Sequence, residues 1–312
     1  MKIEAFVIIR NLESSAERLN FGDFTISLVG PRFANLRQLF SSGDINDDDW
    51  IFEKSYGSTE EIPADIEDIL LLFRLYSVGD IAFIKFASKI QHVPVLTRPS
   101  RVINDLNSLC HPALKFKLES EKCESWKAFA EDIRRCGSWS SEWFAAARRF
   151  FLSGGAKPFK PEQDDVDRLV DYATALESTL VPERGYSVRR VSRRAAALIA
   201  PDDPVRREAI VKFIKRFYEI RSRIVHGSRL GDENRQWLSE NCRELELRLR
   251  QVLVAAVRTV PPGEEDRRVA LAGLYDPTDE DRGSFAVEKF REIKTPGVRK
   301  AIAAKIAELA GQ

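Results

Sequence analysis

The sequence predicts an α+β protein: a mixed α/β N-terminal domain, then an all-α helical bundle, then a small helical tail. Three observations carry this. Short β-prone runs are confined to the first third of the chain, helical apolar periodicity dominates from about residue 121, and a Pro-Pro-Gly linker precedes the last stretch. At 312 residues the chain has room for about two domains. We divide it at residues 1–120, 121–260 (with the bundle at about 160–258) and 261–312.

In the N-terminal part, residues 2–9 and 24–29 are short β-prone runs, the second closed by Gly30 and Pro31. Residues 63–76 begin with Pro63 and carry early acids, which predicts a helix with the proline at its first position. Gly79 and Asp80 end it, and residues 81–86 and 113–118 are further strand candidates. Helices are predicted over residues 121–135, 140–152, 163–180, 187–200, 205–226 and 234–258. Residues 201–204 (Pro-Asp-Asp-Pro) supply a stop followed by a start. Beyond the linker come a short helix near Val269, an acidic turn over residues 276–281 and one or two terminal helices.

Composition excludes several classes. The 49 basic and 48 acidic side chains give no overall pull toward nucleic acid or membrane, so any electrostatic footprint is local. Cys110, Cys123, Cys136 and Cys242 lack metal-ligand spacing, so no metal or other cofactor is expected, and reduced thiols fit a cytoplasmic protein. The opening apolar run is too short for a signal peptide. Residues 62–86 are interrupted by Arg74, Gly79, Asp80 and Lys85, so no membrane span is expected. His92 and His111 are isolated. Residues 47–49 and 279–281 lack calcium-loop spacing and read as solvated turns, and Gly154-Gly155 lacks the lysine of a phosphate loop. Trp126, Trp139 and Trp143 read as core or domain-interface packing.

One helix carries an anomaly. On a wheel started at Ile210, the residues Phe213, Ile214, Phe217, Ile220, Ile224 and Val225 form a single apolar stripe. Arg221 falls within it, at about 20°. In the segment from Val166, the stripe of Leu169, Val170, Ala173, Leu176 and Leu180 likewise contains Glu177 at about 20°. Two opposite charges on facing buried stripes call for each other, either as an architectural pair or as part of a site. His226 lies five residues beyond Arg221, hence roughly 140° around a continuous helix. Alone, it reads first as a group complementing the helix C-terminus, with Gly227 as the stop.

The string from Phe217 to Gly227 resembles the hallmark of HEPN domains, and especially of their Apea-like branch: Arg221, small polar Ser222, three further residues, His226 and glycine. The segments around Glu177 and over residues 191–199 are similar to the first two core helices of that family. The resemblance covers residues 160–258 and implies a HEPN bundle that cuts single-stranded RNA without metal. Arg221 and His226 would be catalytic, with Glu177 and Ser222 in support, at a cleft shared by a homodimer. It further implies an anti-phage or abortive-infection role. The alternatives are a non-catalytic dimeric scaffold and a regulator that senses RNA or a nucleotide. Between residues 187 and 229 twelve basic side chains face four acidic ones, so the local charge favours RNA. Arg189, Arg190, Arg193 and Arg194 form a basic strip at helical spacing, and Arg223 adds to it.

Overall fold

The structure is a computed structural model that describes residues 2–30, 40, 46, 48–79, 81–90, 93–95, 115–157, 166–182 and 188–274. His92, Cys110, His111, the acidic turn at 276–281 and the terminal helices expected after it lie outside the described residues.

A six-stranded sheet is built around β1 (Ile3–Arg10), which pairs antiparallel with β5 (Trp50–Tyr56) and with β6 (Ala82–Ile90). On the far side of β5 come β4 (Phe24–Leu28) and then β3 (Arg18–Asn20). The short β7 (Val93–Val95) pairs with β6 at the other edge. Two further two-residue strands, β2 (Leu12–Glu13) and β8 (Phe116–Lys117), pair in parallel. Because side chains alternate across a strand, Ile3, Ala5, Val7 and Ile9 point to one face and Phe6 and Ile8 to the other. Both sets are buried, so β1 is apolar on both faces.

Helix α1 (Glu61–Tyr76) covers the first face, and its residues Ile62, Ile66, Ile69 and Phe73 are inaccessible. It starts two residues before Pro63, which therefore occupies the third helical position rather than the first. The other α-helices among the described residues are α2 (Lys122–Arg135), α3 (Glu142–Ala156), α4 (Asp167–Leu180), α5 (Val188–Ile199), α6 (Pro204–Val225), α7 (Asp232–Thr259) and α8 (Glu264–Gly273). Helix α3 packs along α4, while α4, α5, α6 and α7 pack among themselves. The fold is thus mixed α+β, with the antiparallel sheet and α1 first and the other helices after them. No helix among the described residues is long and apolar enough to cross a membrane.

The boundary at residue 120 marks a change of composition, not a break in the core. Trp126 of α2 stacks on Phe73 of α1 at 4.5 Å and meets Phe21 and Phe24 edge-on. One continuous buried cluster runs from Ile3 to Leu271. Two other expectations are corrected. Asp49 is buried rather than solvated, because Arg10 Nε donates to it at 2.9 Å and the Asn46 amide at 2.8 Å. Val225 is 50% exposed, at the open end of its helix.

Arg74 joins the sheet half to the helical half. It is only 4% exposed, and its guanidinium donates to three carbonyls: Ile81 O at the start of β6, and Leu152 O and Gly155 O in the last turn of α3. A Cβ on Gly155 would lie 2.2 Å from Arg74 Nη1, and one on Gly154 would lie 2.6 Å from the Tyr172 ring. The glycine pair is therefore a packing device: it lets the arginine and the tyrosine reach the helix backbone. Replacing Arg74 by Ala removes the hydrogen bonds to all three carbonyls and leaves a cavity, and should cost about 3 kcal/mol or more. Gly155→Ala should cost about 1–3 kcal/mol through overpacking. Urea denaturation reads both, and a change below about 0.5 kcal/mol in Arg74→Ala would show that the clamp is dispensable.

Candidate functional site

The two ends of the candidate site are fixed by different devices. At the end of α4, every one of the last four carbonyls finds a donor. The Val181 amide takes Glu177 O at 2.9 Å, and Arg194 Nη1 of α5 takes Leu180 O at 2.7 Å. Arg267 of α8 serves Ser178 O and Thr179 O while lying over the Trp143 ring at 5.2 Å. Cationic side chains at a helix C-terminus both complete the hydrogen bonding and complement the dipole. Glu177 stands on this anchored turn.

Helix α6 faces it. Asp203 caps the N-terminus by accepting from the Arg206 amide at 2.9 Å, Pro204 occupies the first turn, and Arg207 Nε donates to Ala200 O at 2.8 Å. Ile210, Ile214, Phe217 and Ile220 are buried in the bundle. Val211 and Tyr218 are buried as well, which widens the stripe read from the sequence. The Tyr218 hydroxyl donates to Ala173 O at 3.2 Å and also hydrogen-bonds Glu177. Tyr218 was missed as a site residue, although its place one turn before Arg221 is a usable signal.

Arg221 Nη2 lies 4.0 Å from Glu177 Oε1, with side chains 21% and 26% exposed. The two charges thus meet at the rim of the core rather than in its depth. Burial pushes the Glu177 carboxyl above its ordinary value, while Arg221 and the Tyr218 hydrogen bond pull it back in part.

The C-terminus of α6 is a Schellman motif. The Ser228 amide donates to Arg223 O at 3.0 Å and the Gly227 amide to Ile224 O at 2.9 Å, with Gly227 at φ +68°. His226 is the last residue before this turn and is exposed, as are Ser222 and Arg223. The structure therefore brings Arg221 to Glu177 and leaves His226 at the outer end of the same helix. Within one chain the helix continues through Val225, so the angular separation of Arg221 and His226 is kept.

The basic strip divides. Arg194 is 2% exposed with its guanidinium on Leu180 O, so it is a carbonyl cap and not a surface contact for phosphate. That corrects its place among the RNA-binding candidates: with its own charge turned into the bundle, α5 presents one cation fewer. Arg189, Arg190 and Arg193 are half-buried, each with an interaction inside the chain. Among the described residues no group of three or more His, Cys, Asp or Glu is arranged to hold a metal ion.

Comparison of the chain with protein-family models, curated proteins and solved structures gives no match.

Two measurements probe this geometry. A carboxyl whose folded pKa is raised favours the fold below its unfolded value, and that contribution is lost as pH rises through the folded one. Glu177→Gln removes this titration, so the melting temperature of the variant relative to wild type should climb as pH rises above the ordinary glutamate range. A flat difference would show that burial does not perturb the carboxyl. At Gly227 a Cβ would meet nothing within 4 Å, so Gly227→Ala should cost about 1–2 kcal/mol from backbone conformation alone, read by urea denaturation.

Proposed function

We propose that this chain is a metal-independent endoribonuclease of the HEPN type, acting as a homodimer on single-stranded RNA with loose specificity. The observation that carries the reading is the pairing of an arginine anchored toward Glu177 with an exposed histidine held at the end of the same helix. The resemblance of the Arg221–Gly227 string to the Apea-like branch supplies the reaction class.

In this reading the RNA 2′-oxygen attacks the adjacent phosphorus, and the bond from phosphorus to the 5′-oxygen breaks. The products are a 2′,3′-cyclic phosphate and a 5′-hydroxyl. The proton leaves the 2′-hydroxyl to a base and another reaches the departing 5′-oxygen; His226 serves as one of these two agents, since histidine transfers protons near neutral pH. Arg221 meets the charge that builds on the phosphorane oxygens. Glu177 and Tyr218 are positioning residues, and exposed Ser222 lies one residue from Arg221. Arg189, Arg190, Arg193 and Arg223 are the remaining phosphate contacts in this reading.

Because Arg221 and His226 point apart on one helix, the arginine of one copy and the histidine of another complete the site. This makes the dimer part of the mechanism. The resemblance also supports a cytoplasmic role in anti-phage defence or abortive infection. A second reading, a non-catalytic dimeric scaffold, is favoured by the half-buried position of Arg221 beside Glu177, which suits an architectural ion pair.

Incubating the purified protein with total RNA in EDTA separates the two. The endonuclease reading expects cleavage ending in cyclic phosphates, abolished by His226→Ala without loss of helical circular dichroism. Mixing Arg221→Ala with His226→Ala protein should restore part of the activity through mixed dimers. Undiminished cleavage by His226→Ala would sink the mechanism, and no cleavage by wild type would leave the scaffold.

A further inference from the structure

Helix α6 carries seven basic and two acidic side chains, so one element holds a net +5 in a chain that nets +1. Its cations fall into two groups. Three are engaged within the fold: Arg207 on Ala200 O, Arg216 on Glu219 and Glu233, and Arg221 beside Glu177. The other four are not. Among the described residues, the side chains of Arg206, Lys212, Lys215 and Arg223 make neither an ion pair nor a hydrogen bond, and the same holds for Arg229 just beyond the Schellman turn. Arg206, Lys212, Arg223 and Arg229 are exposed, and Lys215 is half-buried.

These unpaired cations share a face with the histidine. With buried Ile210 at 0° on the wheel, Lys215 falls at about 140°, His226 at about 160°, Lys212 at about 200° and Arg223 at about 220°. All four therefore stand on the side of α6 that turns away from the core, within about 80° of one another. The row from Lys212 to His226 is about 21 Å long at the rise of an α-helix. Two acids share this side. Glu208 lies one turn before Lys212, and Glu219, in the middle of the row, is offset by Arg216 at 3.3 Å. The row holds no Phe, Tyr or Trp, so it can meet a polyanion by charge but offers no platform on which a base would stack.

We propose that the outer face of α6 is the track on which single-stranded RNA lies, with its phosphates on Lys212, Lys215, Arg223 and Arg229 and its path ending at His226. The ligand class rests on the endoribonuclease reading; the track itself rests on where the unpaired cations stand. It differs from the strip on α5, where Arg194 caps Leu180 O and Arg189, Arg190 and Arg193 each have an interaction inside the chain. Exposed, unpaired lysine and arginine side chains give up no internal contact when they bind phosphate, and each phosphate they neutralise releases counterions. Contacts of this kind position a strand without reading its bases, which agrees with loose specificity.

The test is fluorescence anisotropy of a labelled single-stranded RNA with the full chain carrying His226→Ala, so that binding is read without cleavage, between about 50 and about 200 mM salt. Adding Lys212→Ala, Lys215→Ala and Arg223→Ala should weaken binding at least about tenfold at the low end. It should also flatten the slope of log affinity against log salt by about 2, since each phosphate contact on a single strand contributes about 0.7. Removing three exposed cations of the sheet half instead, by Lys2→Ala, Arg18→Ala and Lys115→Ala, should leave that slope unchanged. Glu219→Lys, at an exposed position, should tighten binding at least about threefold, so the proposal does not hang on the folding of the triple variant. Equal losses from the two triple variants, no saturable binding at about 50 mM salt, or unchanged or weaker binding with Glu219→Lys would each overturn the track. Track-dependent binding without cleavage by the wild-type chain would remove the nuclease reading and keep the track, whereas cleavage with track-independent binding would remove the track alone.

Discussion

The Arg74 guanidinium is the contact on which the arrangement of the two halves depends. It arises in the last turn of α1 and ends on carbonyls of β6 and α3, so a single side chain satisfies backbone groups from both halves. A buried arginine is tolerated only with its donors matched, and here the matching groups are main-chain carbonyls. The glycines at 154 and 155 are the other side of this arrangement, since any side chain at those positions would displace Arg74 or Tyr172.

Arginines meeting carbonyls recur through the helical half. Arg168 donates to Lys157 O through Nε at 3.0 Å and Nη2 at 2.8 Å, while Arg207, Arg194 and Arg267 serve the ends of α5 and α4. A high arginine content here therefore serves the fold before it serves any ligand. Glu177 inherits its position from this scaffold: the turn that carries it is held by two arginines from other helices, and Arg221 then meets it from α6. The candidate site is thus set by the packing of α4 against α5, α6 and α8, not by the helix that bears the Arg-x4-His string alone.

Much of this was legible in the sequence where periodicity is strong. Helices α2 to α7 lie close to the segments that apolar spacing predicts, and the wheels place Arg221 and Glu177 as charges on facing stripes. What escaped had physical reasons. Strand β5 follows the acids of residues 47–49 and ends in Glu-Lys-Ser-Tyr, so its alternation is weak, yet it pairs along nearly all of β1. Strands of two or three residues leave no periodic signal at all. Arg194 fell at the spacing of a surface strip, but a wheel does not show that a neighbouring helix ends with a bare carbonyl beside it. Val225, by contrast, follows the apolar stripe and emerges because the helix outlasts the core it packs on.

The unbroken core from Ile3 to Leu271 has a consequence for how this molecule can be handled and how it could have arisen. The segment at 160–258 is not a detachable cassette: lifting it out would strip α4 of α3 and of Arg267, and would remove α1 and α2 from α7. A sheet and a bundle that share aromatic rings and a guanidinium are expected to unfold together. Whatever chemistry the bundle performs, the sheet is part of the reagent.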